Sequence, residues 1–571
     1  MDKHLIDVAL GKKPAQLVLK NVRVVHVFTG EIELTNIAIH NGLIAGCGDY
    51  SGIEEIDFHG AYCSPGFIDG HVHIESSMLA PHEFACEVIP KGTTSVIADP
   101  HEIANVCGID GIMYMLESAK QSPLNVHMMI PSCVPATPFE TAGARIDVSI
   151  IKKLKNHKHI LGLGEVMDYP GVISSNPDML DKIDAMKDKV IDGHSPGLSG
   201  KELNAYASVG IRTDHEPSSL GELTERLRKG MYVHLREGSQ TRNVLDLLSG
   251  VNAHNHTRCL FCTDDLHPED IRKDGHINYN VNLALRYGLD PIWAIRMATS
   301  NIASCYQLPN IGAIAPGYHA DLILFDSIEQ IHPHHVFIKG KLVAKNGESL
   351  FKVVAPKSSS VQNTMHVNLT NVDLRIPLQQ SLVRVIGLIQ NNVTTTSLQM
   401  HVPVVDGYFT YPINQDITKL CVFERHTNSG RIGKALVHGY GLRSGAIAMS
   451  IAHDSHNIIA IGKSDEDILA CVQEVSRIGG GIVISDLGKV IHSLVLDIAG
   501  LMSSRKADYV ISSLQQMTIS ARRMGVSPLI IDPFIQVAFL ALPVIPELKL
   551  TDFGLFDGVE FAWTSLEVGE K

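Results

Sequence analysis

A chain of 571 residues, 45% hydrophobic and 19% charged, has enough apolar material for two or three domains built on a large core. Its formal charge of -13 argues against a nucleic-acid backbone as partner and favours a small neutral or cationic substrate. Met1 to Ala15 carries charges and no sustained apolar run, and the longest such run, near Ile535 to Ile545, is interrupted by Pro543, so neither a secretory signal nor a membrane span is expected. Ten scattered cysteines fit reduced thiols in a cytoplasmic protein.

From Leu17 to Gly48 apolar and polar residues alternate, and Asn41-Gly42 offers a tight hairpin turn. Strands return at Asp321 to Phe325 and His335 to Ala344, which predicts a small flanking β-sandwich from residues 1–65 plus 310–355. Within residues 66–309 eight β-rich runs alternate with helical periods, the pattern of an α/β protein built as a (β/α)8 TIM barrel. The runs are Phe67 to Glu75, Ser95 to His101, Val126 to Val134, Ile160 to Val166, Val190 to His194, Gly210 to His215, Tyr232 to Arg236 and Leu260 to Asp264. In that architecture the C-terminal strand ends form the active site. Past the serine-rich joint Ser358 to Ser360, residues 360–571 read as a separate α+β domain. Its strands fall around Leu382 to Ile389, Ala435 to His438 and Ala446 to Ala452, and its helices at Asp465 to Ile478 and Lys506 to Met524.

Asp69-Gly70-His71-Val72-His73 puts two imidazoles on one face of the first strand, because alternate side chains of a strand share a face. Later strand ends add Glu165, His194, His215 and Asp264. Neutral imidazoles with carboxylates, leaving a position for water, are the donors of a hydrolytic metal site. Cys259-x-x-Cys262 reads as buried small hydrophobes, since residues three apart on a strand face opposite sides. The His-x-Glu with Pro-Cys-x-x-Cys pattern of zinc nucleobase deaminases is absent, so deamination here needs another metal arrangement.

From Leu17 to Gly347 this constellation resembles the amidohydrolase superfamily. The resemblance implies His71, His73 and Asp264 around one metal, His194 and His215 around another, and Glu165 bridging the two. An oxygen bridging ions ~3.5 to 4 Å apart becomes hydroxide near neutral pH and is the implied nucleophile. Ring-opening members often carry a carboxylated lysine at the bridge, but no lysine occurs from Leu161 to Asp181, which weakens a cyclic-amide reading. A narrower resemblance, to bacterial adenine deaminases, extends over nearly the whole chain. It is carried by Pro65 to Met78, Ala98 to Asn105, Gly162 to Tyr169, Asp192 to Pro196, Arg236 to Ser239 and Ala452 to Asn457. It implies attack on C6 of adenine, a tetrahedral intermediate, and loss of ammonia to leave hypoxanthine, with Mn or Fe favoured and Zn admissible.

Hydroxide addition pushes charge onto a ring nitrogen, so a proton donor near N1 is expected. Glu102, kept protonated by partial burial, is the expected donor, and Asp264 the shuttle from water to the departing amine. His101 beside it, together with Arg236, Glu237 and Ser239 at the end of the seventh strand, is expected to contact the purine. The resemblance implies that the loop carrying His453, Asp454 and His456 approaches the barrel mouth, where these residues are expected to bind substrate. A homo-oligomer is the default expectation. The alternatives are an amidohydrolase for a different aminopurine or a cyclic amide, and an inactive barrel scaffold; a scaffold should have lost ligands, and none is missing.

Overall fold

The computed structural model describes residues 3–569. Strands Ala15–Val25, Ile32–His40 and Leu43–Cys47 pair antiparallel, the last two across Asn41-Gly42. Both turn residues have positive φ, 51° and 77°, the conformation for which that dipeptide is suited. Tyr62–Pro65 runs antiparallel to Leu322–Phe325 and stitches the N-terminal strands to those between Leu322 and Ser349. The result is one hydrogen-bonded nine-stranded sheet in which Gly52–Asp57 branches from Ala15–Val25. Alternation reveals which face of a strand is buried but not which neighbour its edge takes.

Eight parallel strands follow: β1 (Phe67–Val72), β2 (Thr93–Ala98), β3 (Asn125–Ile130), β4 (Ile160–Val166), β5 (Val190–Gly193), β6 (Thr213–Asp214), β7 (Tyr232–Arg236) and β8 (Cys259–Cys262). Hydrogen bonding joins β1 through β5 in one sheet and β6 through β8 in another. The seams between them are crossed by Arg212 N to Ile191 O and by Asp264 N to His71 O, each at 2.9 Å, which makes the arrangement TIM-barrel-like. A Cβ on Gly70 would lie 2.9 Å from the Phe261 carbonyl oxygen, so glycine is what lets β1 approach β8.

Several elements end earlier than the periodicity predicts. β1 stops at Val72 and turns into a short 3-10 segment, Ile74–Ser77; β2 stops at Ala98, and His101 already opens the helix His101–Ala119. Pro100 lacks an N–H for the ladder and stands at the helix start, which explains the break. β6 keeps only two residues of the predicted six.

In the C-terminal region eight strands form one sheet, with helices Asp465–Arg477 and Ala507–Arg523. One apolar cluster runs from barrel residues such as Ile103 and Met115 to Ile447, Leu494 and Leu514. The third region therefore has its own sheet but shares its core with the barrel. None of the described helices is long and apolar enough to cross a membrane.

Candidate active site

His71 and His73 emerge at the end of β1 with their Nε2 atoms 3.1 Å apart, both buried. The Nδ1 of His73 lies 2.9 Å from the carbonyl oxygen of Asp99, an acceptor only. The proton therefore resides on Nδ1, and the lone pair on Nε2 faces the site. Glu165, near the end of β4, stands between two groups of nitrogens. Its Oε1 lies 3.3 Å from His73 Nε2 and 3.9 Å from His71 Nε2, while its Oε2 lies 2.7 Å from His194 Nδ1 and 3.2 Å from His215 Nε2. Asp264 closes the ring at 3.1 Å from His73 and 3.7 Å from His71. Its φ of 61° turns the chain sharply just past β8.

The neighbours of Glu165 are built to aim it. Its backbone N–H donates to Asp99 Oδ2 at 2.9 Å, and the preceding residue must be glycine, because a Cβ on Gly164 would lie 2.1 Å from that oxygen. Burial pushes the Glu165 carboxyl up, yet the imidazoles, led by His194, hold it well below the usual carboxylate range. Asp264 is likewise held low against its burial, by Arg236 and then His73.

Arg236 reaches into this centre from the end of β7, where its Nη1 donates to Asp264 Oδ2 at 2.6 Å and also to Glu216. Glu216 is a residue that sequence reasoning passed over. Its Oε1 lies 3.4 Å from His215 Nε2 and 3.5 Å from His194 Nδ1, and the signal was its place directly after a ligand-type histidine. Asp265 lines the same cavity beside Asp264.

Above this layer lies a cavity of about 370 Å³, within the size range of small-molecule sites. Its far wall comes from the C-terminal region: His453, Asp454, Phe539, Leu542, Val544 and Ile545. Glu102, in the first turn of its helix, accepts from His453 Nδ1 at 2.7 Å and from His456 Nε2, and His101 Nε2 lies 3.3 Å away. Burial would raise Glu102, but His453, His456 and His101 hold it well below the usual range. The expected protonated Glu102 is thus corrected to a carboxylate. His453 pays the complementary role: burial opposes its charge, Glu102 overcomes this, and its pKa is pushed up to about 9. The ring of His453 stacks on Phe539 with centroids 4.2 Å apart.

Three expected substrate contacts lie elsewhere. Glu237 follows Arg236 and therefore points the other way; it faces Arg242 Nε at 3.7 Å, outside the cavity. Ser239 accepts from His267 N at 2.8 Å and donates to Asp270, fastening the loop after β8. His456 sits behind Glu102 and does not line the cavity.

Four imidazole nitrogens and the carboxylates of Glu165 and Asp264, with His73 locked in the ligating tautomer and Glu165 facing both groups of nitrogens, suit divalent metal binding. Fold and donor set together define a metal-dependent amidohydrolase. The description "Amidohydrolase family" matches residues 62–343, and "Adenine deaminase C-terminal domain" matches residues 392–562. The chain is 51% identical to "Adenine deaminase 2" of Carboxydothermus hydrogenoformans, over 98% of each chain. It is 47% identical to "Adenine deaminase" of Clostridium acetobutylicum, over 97% of this chain and 98% of the relative. With "Adenine deaminase" of Geobacillus kaustophilus it shares 46% identity, over 97% and 96%. The chain belongs to the adenine deaminase family of amidohydrolases.

Proposed function

We propose that this chain hydrolyses adenine to hypoxanthine and ammonia. The observation that carries the reading is Glu165, whose two oxygens face separate nitrogen pairs beneath a cavity of small-molecule size. His71, His73 and Asp264 would hold one divalent cation, His194 and His215 a second, and Glu165 both. Nitrogen and carboxylate donors suit Mn or Fe, with Zn admissible. When bound, such a pair makes hydroxide available from water near neutral pH.

The chain's own groups handle the protons. Asp264 takes one from the attacking water and gives it to the amino group, with Arg236 fixing its orientation. His453, charged and backed by Glu102, donates to N1 as C6 becomes tetrahedral. The C6–N6 bond then breaks and ammonia leaves with the electron pair. The proton of the C6 hydroxyl returns to the Glu102–His453 pair as the carbonyl of hypoxanthine forms. His101 and Asp454 complete the polar wall, and Phe539, Leu542 and Val544 exclude bulk water.

The same reading takes residues 66–309 as a closed (β/α)8 catalytic barrel and residues 1–65 plus 310–355 as its flanking β-domain. Residues 360–571 form the domain that completes the pocket. Ten free cysteines suit the reducing cytoplasm. The test is ammonia release from adenine, adenosine and guanine by Mn-loaded and chelated protein. Turnover of adenine by the loaded form alone is expected, and absence of adenine turnover overturns the reading.

A further inference from the structure

A second cavity, of about 690 Å³, lies at the opposite end of the barrel strands from the candidate active site. It is bounded by the start of β3 (Asn125, Val126, His127), the approach to β4 (Lys158 to Leu161), the end of the helix His101–Ala119, and the hairpin Ile338 to Lys341 of the flanking sheet. Its floor is aliphatic, with Leu124, Val126, Ile160 and Val343 among the lining residues.

The charge of its lining is one-sided. Lys120, Lys158, Lys339 and Lys341 line it with three histidines, and no Asp or Glu does, although the chain as a whole carries 61 acidic against 48 basic residues. Lys120 pairs with Glu117. The side chains of Lys158, Lys339 and Lys341 have no carboxylate within 4.0 Å among the described residues. The nearby Asp321 is engaged elsewhere, accepting from Lys339 N at 2.7 Å and Asn125 Nδ2 at 3.0 Å. Two imidazole nitrogens, His127 Nε2 and His319 Nδ1, are buried without a hydrogen-bond partner. Burial and then His159, Lys339 and His319 push the His127 ring down to about 4, which makes it an uncharged part of the lining.

We propose that this cavity is a binding site for an organic phosphate, a nucleotide-like monoester whose phosphate meets the lysine rim and whose apolar ring system lies on the aliphatic floor. Lys158, Lys339 and Lys341 are exposed at the rim of the cavity, and a dianion bound among them meets no opposing carboxylate in the lining. The site is separate from the metal-ligand cluster, so its occupancy is measurable with catalysis intact.

The experiment is calorimetric titration of the metal-loaded protein with AMP, pyrophosphate and adenosine, at low and high salt. AMP is expected to bind one per chain, pyrophosphate more weakly, and adenosine at least tenfold more weakly than AMP, with AMP binding weakening as salt rises. The double variant Lys158→Glu/Lys339→Glu should weaken AMP at least tenfold while adenine turnover stays unchanged. His127→Phe, which alters the floor instead of the rim, should weaken AMP as well. The proposal is overturned if no probe binds, if adenosine binds as tightly as AMP, if pyrophosphate binds and AMP does not, or if AMP binding survives in both variants.

Discussion

Glu102, at the start of a barrel helix, accepts a hydrogen bond at 2.7 Å from Nδ1 of His453, which lies 351 residues further along the chain. This contact ties the C-terminal region to the barrel beside the candidate site, and in the proposed mechanism the two residues act together. His453→Gln and Glu102→Gln should each lower kcat by about 10²- to 10⁴-fold, the usual range for a lost acid–base group. Metal content should be unchanged. Because the pair acts together, the double variant should be little worse than either single one, which steady-state kinetics with metal analysis will check.

The same pair sets a pH dependence. A donor must hold its proton, and Glu102 pushes the pKa of His453 up to about 9. Activity is therefore expected to fall as pH rises through about 9, and the pH profile of kcat measures this. An alkaline limb that persists unchanged in the residual activity of His453→Gln would assign it to another group.

Support for the ligands is expected to matter nearly as much as the ligands. Asp99 accepts from the backbone N–H of Glu165 and its own carbonyl fixes the tautomer of His73. Asp99→Ala removes only the first of these. Loss of such a supporting group typically costs about 10- to 100-fold in metal affinity, which competition with a chelator will read.

How much of this was legible follows from what periodicity carries. β4 and β7 fall where their apolar runs begin and end, and His71, His73, Glu165, His194, His215 and Asp264 converge because each sits at or just past a strand end. The chain's exit from β1 before His73 was not legible, since a 3-10 turn leaves no alternation to read. Glu237 was misplaced through its adjacency to Arg236, although neighbouring strand residues face opposite sides. The ionised state of Glu102 could not be read locally, because the imidazoles that impose it arrive from the C-terminal region.

A buried ion pair underlies the His194 and His215 loops. Arg226 Nε meets Asp214 Oδ2 at 3.0 Å, its Nη2 donates to Ser195 O at 2.7 Å, and both side chains are 0% exposed. Removing one partner of a buried pair leaves an uncompensated charge at a cost of about 3–5 kcal/mol. Arg226→Ala should therefore lower the barrel's thermal transition by several degrees, which calorimetry will measure.

The two domains are also joined by His267 and Asp532, 2.8 Å apart. Burial opposes the His267 charge, but Asp532 raises its pKa above 6.5; burial also opposes the Asp532 charge, but His267 lowers its pKa below 3.8. The histidine's contribution is complete below pH 6.5 and disappears as pH rises through its raised value. The aspartate's is complete above 3.8 and disappears as pH falls through its lowered value. The stability difference between wild type and His267→Gln should thus be greatest between these limits and shrink at alkaline pH, as melting temperatures across the range will show.

In the proposed mechanism Glu165 serves two cations at once. Titration of chelated protein with Mn, followed through ammonia release from adenine, measures this. Activity should climb until two equivalents per chain are bound, and Glu165→Gln should neither retain both nor turn over. Full activity at one equivalent, or two tightly held equivalents in Glu165→Gln, would contradict the account.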